Sequence, residues 1–98
     1  MDIVLKQILK FRCGTVTLPK NFKILKINTQ NPEQDLQLWY MVDNEEKETV
    51  ELRYESYGTG ELLPNHIKDF TYVDSYYQLE RYKKVDYVYH LFVKTLGE

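Results

Sequence analysis

The 98-residue chain has few of the residues on which common catalytic and metal sites depend. Its one cysteine, Cys13, excludes an internal disulfide, and no cysteine–histidine cluster has the spacing of a zinc site. His66 and His90 lie far apart, and neither has acidic residues at a metal-ligand spacing. Ser56 and Ser75 lie outside any Gly-X-Ser-X-Gly turn, and no phosphate-loop or dinucleotide motif occurs. We therefore predict no catalytic residue, no metal, no cofactor and no enzyme activity.

Long apolar runs and an excess of one charge are also absent. The longest uninterrupted apolar run covers five residues, Leu38 to Val42, which is far too short for a membrane span. Thirteen basic residues against 15 acidic ones give a net charge of −2, which is untypical of a nucleic-acid binder. No basic segment followed by a long apolar one begins the chain, so no secretory signal is expected. These absences predict an intracellular, reducing compartment with neither membrane nor nucleic acid as a partner.

Tyrosine is the residue type in excess, with nine residues among 98. A tyrosine buries its ring but needs a partner or water for its hydroxyl, which suits an interface or the wall of a ligand site. It is also simply a good strand residue. The length allows one domain, residues 1–98, with a thin core. We expect such a domain to gain stability by forming a homo-oligomer.

Alternating apolar and polar residues predict strands along most of the chain. The alternating segments are Ile3 to Phe11, Thr15 to Leu18, Phe22 to Thr29, Leu36 to Val42, Thr49 to Glu55, Tyr72 to Leu79 and Val85 to Thr95. The expected fold is mainly β, with a small antiparallel sheet folded into a sandwich or an open barrel. One short helical turn is expected near residues 64–70, because proline suits a first helical position.

Side-chain alternation also predicts which residues are buried. In the first strand, the expected buried face carries Ile3, Leu5, Leu9 and Phe11. Elsewhere, the residues expected to be largely in the core are Trp39, Tyr40, Leu52, Tyr87, Tyr89 and Leu91.

Residues 76–84 allow two interpretations. Gln78 to Arg81 are good helix formers, but Tyr76 and Tyr77 precede them and favour an extended segment. Arg81, Tyr82, Lys83 and Lys84 then mix rings with cations, a combination that can stack bases and neutralise phosphates. Neighbouring acidic residues dilute this patch, so a protein contact or a single nucleotide is favoured over a nucleic acid.

The most suggestive motif for binding is Tyr57-Gly58-Thr59-Gly60, which follows a predicted strand. Two glycines allow positive φ and let backbone amides approach an anion, and Thr59 adds a hydroxyl. Arg53 on the preceding strand would place a guanidinium nearby. We therefore take Arg53, Tyr57, Gly58, Thr59 and Gly60 as the candidate site for a phosphate or carboxylate. The alternative is that the glycines merely end the strand in a turn.

Several motifs follow one another in a recognisable order. They are Leu18-Pro19, Ile24-Leu25, Leu38-Trp39 with Val42-Asp43, Gly58-Thr59-Gly60, Leu63-Pro64 and His90 with Phe92. Over roughly residues 3 to 94, this series resembles a family of small uncharacterised bacteriophage and prophage proteins. The chain departs from that pattern in its longer, tyrosine-rich segment 76–84. The resemblance implies a viral accessory protein that acts in the cytoplasm of a host bacterium.

Two functional hypotheses follow from the site motif and the resemblance together. The first is a non-enzymatic protein that antagonises bacterial defence by sequestering a small anionic, nucleotide-like signalling ligand. The alternative is a protein–protein inhibitor or adaptor, which docks on a host protein through a strand edge or through the acidic hairpin 43–55.

Overall fold

The computed structural model describes residues 1–29, 35–80 and 85–97. Strands account for 68% of the structure, which confirms the predicted mainly β fold. Within the described ranges the elements are β1 Asp2–Leu9, β2 Cys13–Pro19, β3 Lys23–Asn28, β4 Leu36–Asp43, β5 Thr49–Gly58, a 3-10 helix Asn65–Asp69, β6 Thr71–Glu80 and β7 Val85–Leu96. No helix in these ranges has the length and apolar character needed to cross a membrane.

The strands form two antiparallel sheets. The first has the order β1-β4-β3, and the second has the order β2-β5-β7-β6. The sheets are not closed into a barrel, which agrees with the expected sandwich or open architecture. β4 is central in its sheet, as the apolar residues on both of its faces indicate.

One hydrophobic core lies between the two sheets. Each strand presents alternate side chains to it, as the two-residue period of a strand requires. Its buried members are Leu9, Leu18, Ile27, Leu36, Leu38, Tyr40, Val42, Leu52, Tyr54, Tyr76, Leu91 and Val93. The expected burial of Tyr40, Leu52 and Leu91 is therefore confirmed, and Tyr89 packs half-buried against this cluster.

Some expected core residues lie elsewhere. Trp39 is half-buried on the outer face of the first sheet, because it alternates with the buried Leu38 and Tyr40. Tyr87 is exposed, and its partner in the β6–β7 ladder is Gln78, close to the far end of that hairpin.

The first strand was expected to bury one face, and only part of that expectation is correct. Leu9 is buried, whereas Ile3, Leu5 and Phe11 are exposed. β1 is an edge strand of its sheet. The opposing sheet therefore does not fully cover the core-facing side chains in the first half of β1, which are Ile3 and Leu5.

The expected helical turn is a single 3-10 turn, Asn65–Asp69, which begins after Pro64. Its Ile67 is buried and fixes the turn against the protein. The extended interpretation of residues 76–84 is correct as far as Glu80, where β6 ends. Residues 81–84 lie outside the described part of the chain.

Candidate ligand-binding site

A pocket of about 280 Å³ opens on the outer face of the second sheet, where β5 ends. In the antiparallel ladders Tyr57 pairs with His90 and Tyr72 pairs with Phe92. Directly opposed residues share a face, so four rings from three strands converge there. The turn after β5 closes one side. The lining consists of Tyr57, Gly58, Thr59, Gly60, Glu61, Leu63, Tyr72, His90 and Phe92.

The structure brings together four of the five residues that the sequence indicated. Tyr57, Gly58, Thr59 and Gly60 all line the pocket, and Arg53 does not. The Arg53 Nε donates a hydrogen bond to Glu55 Oε2, over 3.3 Å, which ties its guanidinium to its own strand. Of the two glycines, Gly60 has positive φ, 87°, whereas Gly58 ends β5.

Both ring nitrogens of His90 have hydroxyl partners at the base of this pocket. The Thr59 hydroxyl donates its one proton to the Val88 carbonyl, and its oxygen lies 2.8 Å from His90 Nε2. His90 Nδ1 lies 2.9 Å from the Tyr72 hydroxyl. This chain of hydrogen bonds fixes the imidazole and the Tyr72 ring relative to each other.

The amides of the glycine-rich turn already have partners within the chain. Gly58 N donates to Glu61 Oε1 over 2.9 Å, and Thr59 N donates to the Val88 carbonyl over 3.0 Å. Of these two amides, that of Gly58 donates to an anion, which is the carboxylate of Glu61. The same Glu61 oxygen forms an ion pair with Arg12 Nη2.

Arg12 places a cation beside this turn. Its Nε donates to the Ser56 carbonyl over 2.8 Å, and its guanidinium lies 5.4 Å from the Tyr57 ring centre and 5.8 Å from that of Tyr89. Guanidinium groups at such distances from ring faces are attracted by the aromatic quadrupole. The hydrogen bond from Arg12 holds the pKa of the Glu61 carboxyl below its usual range. The charges of Arg12 and Glu61 at the rim of the pocket therefore neutralise each other.

Glu55 is a buried carboxylate on the same face of β5, two residues before Tyr57. It accepts hydrogen bonds from Tyr57 Oη at 2.5 Å and from Arg53 Nε, and its Oε1 lies 2.7 Å from His66 Nε2. Burial raises the pKa of Glu55, but these hydrogen bonds outweigh that effect and lower it overall. A carboxylate so engaged is a weak base, and its main effect is to orient the Tyr57 ring. Burial and the Glu55 contact raise the pKa of Tyr57 to about 12.

The lowered pKa of Glu55 predicts acid sensitivity. The stability that it contributes is present above the unfolded-state pKa, near 4.5, and is lost as the pH falls through the lower folded-state pKa. We expect the free energy of unfolding to fall more steeply with acid in the natural chain than in a Glu55→Gln variant. Urea unfolding at a series of pH values below neutrality measures this difference.

The matched control is Glu51→Gln, an exposed carboxylate on the same face of β5. Its pH profile should follow that of the natural chain. Asp43 and Glu61 also have lowered pKa values and act in the same direction, so only the difference between the variants isolates Glu55. Identical profiles for Glu55→Gln and Glu51→Gln would contradict the assignment.

A second and larger groove of about 860 Å³ lies at the opposite end of β5. It is lined by Thr17, Lys20, Lys47, Glu48, Thr49, Val50, Glu51, Leu96 and Gly97. Lys20 Nζ lies 3.4 Å from Glu48 Oε2, so one of its cations already faces a carboxylate. This described lining contains no aromatic ring, and the smaller aromatic pocket is the better candidate site. No cluster able to hold a metal ion occurs among the described residues.

A family model described as a domain of unknown function, DUF7352, matches residues 1–98. The chain belongs to this family. No curated protein and no solved structure matches it. The pocket itself is therefore the main indication of function in this DUF7352 chain.

The sequence pattern did not indicate several residues that line or border the candidate site of this DUF7352 chain. His90 and Phe92 alternate on the last strand with the buried Leu91 and Val93, so the outward side of that strand could have been examined for a site. Arg12 and Glu61 gave no comparable signal. Their contact joins the β1–β2 corner to the turn after β5, and only the fold brings these segments together.

Proposed function

We propose that this protein binds and sequesters a small ligand that combines a flat ring system with an anionic group, such as a nucleotide-like signal. It does so without converting the ligand. The resemblance to bacteriophage proteins supports the context of this proposal, which is antagonism of bacterial defence in the cytoplasm of the host. Ligand capture requires no catalytic group, and the surface available for it is the aromatic pocket on the second sheet.

The aromatic pocket carries the proposal. Tyr57, Tyr72 and Phe92 surround His90, and the rings of Tyr72 and Phe92 meet edge to face with centres 5.3 Å apart. Aromatic side chains stack on any nucleobase because every base has a π face. The volume of about 280 Å³ is near the lower limit for ligand pockets. It suits one ring system and not a whole dinucleotide.

The anionic part of the proposal depends on Glu61. Its carboxylate accepts a hydrogen bond from the Gly58 amide and forms an ion pair with the Arg12 guanidinium at the pocket rim. An incoming phosphate would use these same two groups. Arg12 can bind phosphate in two-pronged geometry, and a phosphate offers more oxygens than the carboxylate does. We propose that a ligand phosphate displaces Glu61 and takes over these two contacts.

Calorimetry with the full chain tests this function. The probes are cyclic AMP, cyclic GMP, AMP, ADP-ribose and, as an uncharged reference, adenosine. At least one phosphate-bearing probe should bind, and adenosine should bind more weakly than AMP. Absence of heat with every probe would remove the proposal. Recovery of the bound probe in its original form after heating the complex supports sequestration, whereas a converted product would indicate an enzyme.

Replacing Tyr72 with alanine should weaken the binding of any probe that the natural chain binds. The change removes one stacking surface, worth about 1–3 kcal/mol per base. That loss corresponds to a rise in Kd of roughly 5- to 150-fold. It also removes the hydroxyl that holds His90 Nδ1. The measurement is the same calorimetric titration.

The control for that change is Tyr77→Ala on the same strand. Tyr77 is 63% exposed and does not belong to the pocket lining. Its variant should retain the Kd of the natural chain. Equal losses in the two variants would show that the tyrosines act through general strand stability and would contradict the pocket assignment.

Docking on a host protein through the acidic hairpin 43–55 has less support. Glu46 accepts a hydrogen bond from Asn21, and Glu48 forms an ion pair with Lys20. Glu55 is buried on the outer face of the second sheet, beneath His66. Three of the carboxylates of this segment are thus already engaged within the chain, which makes the hairpin a weaker candidate for docking.

A further inference from the structure

The edge of the first sheet formed by β1 is unpaired within the described ranges. β1 has β4 as its one neighbour, and the paired register runs without interruption from Asp2 to Leu9. A free strand edge presents backbone amides and carbonyls that can pair with another chain. The length of eight residues makes this a substantial template.

β1 differs in character from the other edge strands. A register shift interrupts β3, which also carries Lys23 and Lys26, and a further shift interrupts β6. β2 ends in Pro19. Bulges, lysines and proline are the usual protection of an edge against pairing. β1 has neither bulge nor proline and carries one lysine, Lys6. Its apolar side chains on both faces are 38–54% exposed: Ile3, Val4, Leu5 and Ile8.

The backbone of β1 points half of its polar groups away from β4. The Met1 carbonyl accepts a hydrogen bond from Asn44 N, which is its opposite residue in the ladder. In an antiparallel pair the residues that bond to one neighbour alternate with those that face the other side. Residues 3, 5, 7 and 9 therefore bond to β4, and the amides of residues 2, 4, 6 and 8 face outward.

We propose that the occupant of this edge is β1 of a second copy, added antiparallel across a two-fold axis to give one continuous six-stranded sheet. With Lys6 at the axis, Val4 lies opposite Ile8 of the partner subunit and Asp2 lies opposite Lys10 of the partner subunit. The same register places Ile3 opposite Leu9 of the partner subunit. Two of the three remaining pairs thus place apolar residues opposite each other, Leu5 lies opposite Gln7 of the partner subunit, and opposite charges meet at both ends of the interface.

The central pair of lysines is a like-charge contact in this register. Lys6 Nζ lies 5.4 Å from the centre of the Trp39 ring on β4. The side chain is therefore drawn over the neighbouring strand and away from the axis. A residual repulsion between the two Lys6 side chains makes the register testable, because replacing one of them by an acid should turn it into an attraction.

Sedimentation of the full chain tests the interface. The natural chain should sediment at twice the 11.8 kDa monomer mass at high micromolar concentration. Val4→Pro should be monomeric, because proline removes an outward amide and leaves the β4 ladder intact. Val4→Thr keeps that amide and the strand preference, so it should remain a dimer. Circular dichroism confirms that each variant is folded.

Two outcomes would overturn the proposal. A monomeric natural chain would show that the β1 edge does not bind a second copy. Docking of a different protein would then be the remaining use of this edge. A folded Val4→Pro variant that still forms dimers would place the interface elsewhere.

A mixing experiment tests the register independently of any folding defect. Isotope-labelled natural chain is combined with unlabelled Lys6→Glu, and native mass spectrometry counts the mixed dimers. More mixed dimer than the statistical half supports the Lys6-centred register. A statistical or smaller share would overturn it. Neither experiment uses the pocket, so the proposal stands or fails separately from ligand binding.

Discussion

Replacing Leu91 with alanine is expected to lower the free energy of unfolding by about 2–5 kcal/mol. Leu91 is 0% exposed on β7, where it lies between Ser56 of β5 and Asp74 of β6 in the ladder. Its removal leaves a cavity between the two sheets that rigid strands on both sides cannot close. Domains of this size are stable by about 5–15 kcal/mol, so the change removes a large part of the total. Urea unfolding measures it as a lower midpoint.

The same substitution at Leu62, which is 92% exposed, is the matched control. It removes the same atoms from a side chain that water already covers, so the unfolding midpoint should stay within the error of the natural chain. A small loss at Leu91, comparable with that at Leu62, would mean that the two sheets do not share the core described here.

Gly14→Ala is expected to destabilise the protein by about 1–3 kcal/mol through overpacking. A Cβ at this position would lie 2.8 Å from Tyr54 Oη and 3.1 Å from Cζ. The Tyr54 ring is buried, and its hydroxyl donates to the Lys10 carbonyl over 2.9 Å, so it cannot move aside without losing that bond. Thermal or urea unfolding measures the loss.

Two variants separate this clash from the general effect of adding a methyl group. At Gly58 a Cβ would have its nearest neighbour at 3.6 Å, an ordinary contact, so Gly58→Ala should cost little stability. Tyr54→Phe removes the closest atom of the clash. The double variant Gly14→Ala/Tyr54→Phe should therefore be more stable than the sum of the single losses predicts. Strict additivity would count against the contact.

The sequence predicted the strands well because their alternation reflects burial against one layer. Val50, Leu52 and Tyr54 alternate with polar residues and are buried, and Leu52 was among the expected core residues. Alternation cannot show how far the opposing layer extends, and for that reason the burial of Ile3 and Leu5 was overestimated. Alternation also cannot predict the burial of Glu55. This residue is polar, and it is buried because the 3-10 turn covers it.

The site was predictable only where its residues are neighbours in sequence. Tyr57 to Gly60 form one turn, and the local preference of glycine for such a turn revealed them. The network of His90 with Thr59 and Tyr72 depends on the pairing of three strands, which a sequence pattern does not encode. Arg53 lies on the same face of β5 as Tyr57 but four residues before it, so its guanidinium contacts Glu55 and does not reach the pocket lining.

The position of the single tryptophan has a practical consequence for spectroscopy. Trp39 lies opposite Lys6 of β1 on the outer face of the first sheet, whereas the aromatic pocket opens on the outer face of the second sheet. Its fluorescence is therefore a natural reporter of events along the β1 margin. Occupancy of the pocket has to be followed through the tyrosines, and the two events can be monitored at separate wavelengths in one unlabelled sample.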